Sequence, residues 1–243
     1  MKESEAHKES MEAKDYVDNA DNKATVRNRY ENTLKLILDR SDLLENKKIV
    51  LHLVGVGAEQ KDANKYFPNV APAGVQLIEV IRELKKRGKE VEVHVMDYDK
   101  KLLDAAVENA KREFPGVEIH AHHQDIAKMS SMPANRAHLT ICTHVLQHID
   151  SPSMEAGFYN LASGLRPGGL LLVDMLDIDS LDYLHGDTEK YGLKLRAFRI
   201  QEHVADSWGT VFCKASEPKP FSEIWGELHH TAWKKRKAEK VLK

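Results

Sequence analysis

Apolar residues follow two alternating rhythms along this chain. IVLHLV at 49–54 is a short, continuous, β-branched run, the pattern of a strand covered on both faces. Val75, Leu77, Ile78, Ile81 and Leu84 then recur at helical spacing, and Arg87-Gly88 is a C-cap signal. VEVHVMD at 91–97 alternates as a strand. Leu103, Val107, Ala110 and Phe114 mark the next helix, ended by Pro115-Gly116. VEIHA at 117–121 and HLTICTHV at 138–145 predict two more strands. Ser151-Pro152 pairs an N-cap with proline at the first helical position, and Met154, Phe158, Leu161 and Leu165 complete that helix. After Pro167-Gly168-Gly169, LLLVDML at 170–176 reads as a buried strand. LKLRAFRIQ at 193–201 and GTVFCKA at 209–215 are joined by a short polar connection, which predicts an antiparallel hairpin.

Strands alternating with helices imply parallel pairing through right-handed crossovers. The expected fold is α/β: an open, mostly parallel seven-stranded sheet with helices on both faces, its last strand antiparallel. No internal repeat is visible. Residues 1–14 are charged and nearly free of large apolar groups, so they predict disorder or a frayed helix. Val26, Tyr30, Leu34 and Ile37 outline a helix outside the repeating pattern, read as a cap. Residues 1–47 are therefore a flexible N-terminus with a cap helix, 48–215 the main domain, and 216–243 a C-terminal extension ending in a basic tail.

Composition narrows the function classes. With 243 residues and a formal net charge of −2, the whole chain is not built as a polyanion or membrane binder. Cys142 and Cys213 are the only cysteines, too few for a disulfide framework. No apolar run reaches the roughly 18–20 residues of a membrane span, and the N-terminus lacks a signal-peptide core. A cytoplasmic location is the expectation.

In open α/β sheets, ligands sit past the carboxyl ends of the strands. Gly55, Gly57 and Glu59 follow the first predicted strand. Asp97, Tyr98 and Asp99 end the second, Asp125 follows the third, Thr143, His144 and His148 the fourth, and Asp174 the fifth. A strand-end aspartate such as Asp97 is placed to accept hydrogen bonds from two ribose hydroxyls, and Asp125 to accept from the amine of a base. The alternative for each is a helix cap, which is the preferred reading of Asp99. A dinucleotide loop needs a third glycine where Gln60 stands, and a phosphate loop needs a Gly-Lys-Ser/Thr that is absent. The loop thus suits an adenosine cofactor without bound phosphates.

Five segments in order, VLHLVGVGAE (50–59), VMDYDKKLLDAAVENA (95–110), AHHQDIAKM (121–129), LTICTHVLQHI (139–149) and LRPGGLLLVD (165–174), make residues 48–215 resemble the class I S-adenosylmethionine-dependent methyltransferases. The resemblance implies S-adenosylmethionine as cofactor. It sets Gly55 and Gly57 against the methionine moiety, Asp97 on the ribose, Tyr98 along the adenine, and Asp125 with the Ile126 backbone at the adenine amine. Thr143 and His144 line the floor near the substrate. His52 occupies the region where that family usually has an acidic residue, and Glu59 replaces its third glycine, placed either to pair with the cofactor's ammonium or to stand in solvent. The loop at 60–72 is unusually long.

Such an enzyme must align an O, N, S or C nucleophile with the activated methyl, about 3–3.5 Å away. His144 and His148 are the nearest candidate bases, with a structural or pocket-lining role the competing reading. His120, His122 and His123 form a cluster, but strand alternation turns neighbours apart, so no metal is expected. A small-molecule substrate is expected. The basic tail (Lys234, Lys235, Arg236, Lys237, Lys240 and Lys243 against Glu239) offers contact with RNA or an acidic protein, with a plain solvated tail preferred. Two other readings stand beside the main one. A non-catalytic cofactor-binding subunit is suggested by the irregular glycine loop. A nicotinamide oxidoreductase is disfavoured by Gln60 and by the terminal hairpin.

Overall fold

The computed structural model describes residues 45–56, 74–128, 132, 136–143, 145–146, 149, 151–175, 188–201 and 208–215. The cap helix, the 60–72 loop and the basic tail expected from the sequence lie outside these residues. In chain order the elements are β1 (Lys48–Val54), α1 (Val75–Lys86), β2 (Glu90–Asp97), α2 (Lys100–Glu113), β3 (Glu118–His123), β4 (Ala137–Thr143), α3 (Ser151–Gly164) and β5 (Leu165–Met175). A 3-10 turn at Thr188–Tyr191, β6 (Leu193–Gln201) and β7 (Trp208–Lys214) follow.

Five strands in the order β3-β2-β1-β4-β5 pair in parallel, the Rossmann-like arrangement. β7 lies antiparallel to β5, and β6 antiparallel to β7. Strand order reverses between β1 and β4: the chain builds outward from β1 to β3, then restarts at β4 on the other side.

Alternation along the strands divides the interior into two cores. Ile49, Leu51 and Leu53 of β1, with Val91, Val93 and Val95 of β2, point to the face covered by α1 and α2. Leu77, Ile78, Ile81 and Leu84 of α1 and Leu103, Ala106, Val107 and Ala110 of α2 meet them there. Each Val, Leu or Ile among them contributes about 1.5–3 kcal/mol on burial. Val54, Met96, Cys142, Leu171 and Val173 point the other way, against Met154, Phe158, Leu161 and Ala162 of α3. Cys142 is a free, buried thiol, and burial pushes its pKa far above the usual range.

The helix ends follow the sequence signals. Gly88 N–H donates to the Lys85 carbonyl and Lys89 N–H to the Leu84 carbonyl, so Arg87-Gly88 closes α1 with a Schellman pair. Asp99 caps α2, accepting from the N–H groups of Lys101 and Leu102. One boundary differs. Leu165 does not end the third helix; it opens β5, and Pro167-Gly168-Gly169 lies within that strand. Ala137 pairs with Leu165 and Leu139 with Leu170, so a two-residue step on β4 faces a five-residue step on β5. The excess forms a bulge, with Gly168 at φ 76°, where a side chain would be strained. Beneath it the buried Lys214 donates its Nζ to the Leu165 carbonyl at 2.9 Å.

Candidate functional site

The carboxyl ends of the parallel strands form one row. Val54 is in register with Met96 and with Cys142, Asp97 with His123, and Thr143 with Asp174. The chain leaves β1 at Gly55, beside the reversal of strand order. That is where an open α/β sheet has its crevice.

Gly55 takes a left-handed conformation (φ 80°), and its N–H donates to the Met96 carbonyl at 2.9 Å. A Cβ there would lie 2.3 Å from Cγ2 of Val145, just past β4. Both backbone angle and space therefore demand glycine, and the β1 turn passes hard against the β4 loop. Asp97, only 8 % exposed, fastens this turn: its Oδ2 accepts from the Val56 N–H at 2.9 Å and its Oδ1 from the Asp99 N–H at 2.8 Å. Burial pushes the Asp97 carboxyl pKa up, and the N–H groups of Val56 and Asp99 pull against it. With the Tyr98 N–H as a further backbone donor beside those of Val56 and Asp99, three of the roughly four acceptor positions of a carboxylate are engaged, leaving capacity for a ligand hydroxyl. The strand-end aspartate is both a clamp and an open acceptor.

Tyr98 is 60 % exposed beside it, and its carbonyl accepts from the His123 ring at 2.9 Å. Gln124 N–H donates to the Asp97 carbonyl at 3.1 Å, tying the end of β3 to that of β2. Asp125 Oδ1 accepts from the Ala127 N–H at 2.9 Å, a local turn of its own making. Ile126 is buried, and the Asn160 amide of α3 donates to the carbonyls of Ile126 (2.8 Å) and Lys128 (2.7 Å). Asn160 holds the 125–128 turn in place, a role not found from the sequence. Its signal was a polar residue inside the apolar pattern of that helix. Thr143 ends β4 in this row. Gly57, Glu59, His144 and His148 lie outside the described residues.

A second polar group occupies the α3 face of the sheet. His52 is in register with His94, and His94 with His120. His52 is fully buried. Burial, with the charges of His94, His122 and Arg136, pushes its pKa down to about 3. Neither ring nitrogen has a hydrogen-bond partner among the described residues. Glu92 lies beside His94, accepts from Lys48 at 2.7 Å and pairs with Arg136. Burial opposes its ionisation, but the bonds from Lys48 and His94 and the charge of Arg136 hold its pKa at about 2.

Residues 79–169 match the family model for a methyltransferase domain. This stretch, from α1 to the start of β5, is thus similar to a methyltransferase domain. The fold of the chain resembles that of an N-methyltransferase, NodS, from Bradyrhizobium japonicum in complex with S-adenosyl-L-homocysteine. The TM-score is 0.57 at 14% identity, over 88% of this chain and 100% of that one. It also resembles magnesium protoporphyrin IX methyltransferase from Synechocystis with bound S-adenosylmethionine (TM-score 0.54, 15% identity, 79% of this chain and 81% of that one). A [4+2]-cyclase, SpnF, shares the architecture too, at TM-score 0.51 and 12% identity over 78% of this chain and 81% of that one. Identities this low speak for the fold alone. A comparison with proteins of curated function gave no match. Among the described residues no helix is long and apolar enough to cross a membrane.

Proposed function

We propose that this methyltransferase moves the methyl group of S-adenosylmethionine to an O, N, S or C nucleophile of a small molecule. The observation that carries the reading is the Asp97–Val56–Gly55 arrangement: a buried carboxylate with spare acceptor capacity, clamped to a glycine turn at the reversal of strand order. A ribose needs such an acceptor, and the missing Cβ of Gly55 lets the turn beside it pack against Val145. The bound cofactor supplies an already activated methyl, so the protein's task is alignment and exclusion of water.

In this reading Asp97 accepts from the ribose hydroxyls, Tyr98 lies along the adenine, and Asp125 with the Ile126 backbone reads the adenine amine. Gly57 and Glu59 complete the methionine end. Thr143 lines the floor, and His144 or His148 takes a proton from a hydroxyl or thiol acceptor; a neutral amine needs no such base. The domain spans 48–215 on a sheet completed to seven strands by the terminal antiparallel hairpin. The segments 1–47 and 216–243 act as cap and basic extension. We place the protein in the cytoplasm, with RNA or an acidic protein as the alternative acceptor reached through the tail.

Calorimetry with S-adenosylmethionine, S-adenosylhomocysteine and NAD tests this. Binding of the first two and not the third is expected, and folded protein that binds neither of the first two overturns the reading. Asp97→Ala should weaken binding tenfold or more, since a hydrogen bond to a charged group is worth about 1.5–3 kcal/mol. Affinity equal to wild type would remove Asp97 from the site. A non-catalytic role predicts binding without methyl turnover on any acceptor panel.

A further inference from the structure

The histidine row on the α3 face brings together ligand atoms from two strands. Glu92 and His94 are two residues apart on β2 and so share a face. His120 sits beside His94 on β3, with the two rings stacked at 4.6 Å between centroids. Glu92 Oε1 lies 3.0 Å from His94 Nε2 and 3.9 Å from His120 Nε2, and the three donor atoms all fall within 4.8 Å of one another. A tetrahedral first-row metal with N and O ligands at about 2.0–2.2 Å holds its donors roughly 3.3 Å apart. Small rotations of the half-exposed His120 close that difference.

From this juxtaposition we infer that Glu92, His94 and His120 form a binding site for a divalent transition metal of the zinc type. Two imidazoles and one carboxylate are a donor set suited to such ions rather than to calcium or magnesium. The surroundings fit the role. His94 Nδ1 lies 3.0 Å from His122 Nε2, a contact that orients the ring and can carry its proton away from the metal-facing nitrogen. Glu118 Oε1, 2.9 Å from His120 Nε2, stands ready for the fourth position, which water fills otherwise. Arg136 now pairs with the Glu92 oxygen that the metal would take, and its side chain is 49% exposed. It can therefore swing into solvent, so Arg136 competes with the metal for the carboxylate. Lys48 stays on the other oxygen.

The site is structural in kind. Glu92 precedes Asp97 by five residues along a strand, about 16 Å from the cofactor end. A metal here would pin β3, the edge strand of the sheet, to β2.

The test is equilibrium dialysis of the full-length protein against zinc, with cobalt(II) absorption as the report on geometry. The expected result is one equivalent bound at micromolar affinity or tighter, with visible cobalt bands of a tetrahedral N/O site. His120→Gln, at a half-exposed position where folding is safe, should weaken that equivalent at least tenfold and remove the bands. Arg136→Ala should tighten it severalfold. Zinc should also raise the thermal midpoint of wild type and not of His120→Gln. Folded protein that binds no equivalent tighter than about 100 µM, or that binds equally well as His120→Gln, overturns the site. Surface histidines elsewhere would give the second result. Because the readout is metal binding, it stands or falls apart from methyl transfer.

Discussion

The two faces of the same sheet are built on opposite terms. Toward α1 and α2, the core positions of β1 and β2 are Ile, Leu and Val, and the helices answer with Leu, Ile, Val and Ala. Toward α3, the same strands bury His52, Glu92 and His94, and Thr140 of β4 joins them. One face is held by dry packing alone. The other carries polar groups that must find partners, and His52 finds none among the described residues. The first face is thus a plain packing core, whereas the second buries polar groups that packing alone does not require.

The largest test of this contrast is Leu53→Ala on the dry face. Deleting a fully buried leucine there should cost about 2–5 kcal/mol in urea unfolding. A loss below 1 kcal/mol would mean that this core is not close-packed. On the other face, His52→Leu should leave stability at pH 7 unchanged or raise it, because it removes two buried nitrogens without partners. A loss as large as that of Leu53→Ala would erase the distinction between the faces.

Acid should sharpen it. His52 is held near pKa 3 in the folded chain against about 6.5 unfolded, so above pH 6.5 it has no effect. Below that the unfolded chain takes up a proton that the folded one refuses. Stability therefore falls as pH drops from 6.5 toward 3, by about 1.4 kcal/mol per pH unit from this residue. Glu92, held at about 2 against an ordinary 4.5, adds stability that is complete above pH 4.5 and lost as pH falls through 2. Urea midpoints measured from pH 7.5 to 4 should slope in wild type and be flatter in His52→Leu. Equal slopes would clear His52.

Asn160→Ala leaves the Ile126 and Lys128 carbonyls without their shared donor. About 1–3 kcal/mol of stability should go, with a few-fold loss of cofactor affinity by calorimetry. An unchanged affinity would separate the 125–128 turn from the site.

Much of the fold was legible because period and punctuation agreed. Helical spacing marked α1 and α2, and Gly88 and Asp99 marked their ends. The Pro167-Gly168-Gly169 triplet misled, since turn residues also build a bulge inside a strand; only the partner register of β4 tells the two apart. VEVHVMD alternates like a strand with one wet face, yet both faces are covered. Glu92 and His94 are tolerated there because Lys48, Arg136 and His122 reach them from other elements. In the site, Asp97 stood out by its position alone. Its clamp on Val56 spans 41 residues, a relation carried by the pairing of β1 with β2 rather than by any local pattern. Along β3 alone, adjacent histidines point to opposite faces. The partner they lack there, His94, lies on the next strand.

β3 carries a further consequence. A strand at a sheet margin offers unpaired N–H and C=O groups on which another chain can nucleate. Here that margin is only six residues long and displays Glu118, His120 and His123 rather than the valines of its neighbour β2. Polymerisation through this border is thereby discouraged, and the residues that make the strand look poor as a structural element are what keep one molecule from templating the next.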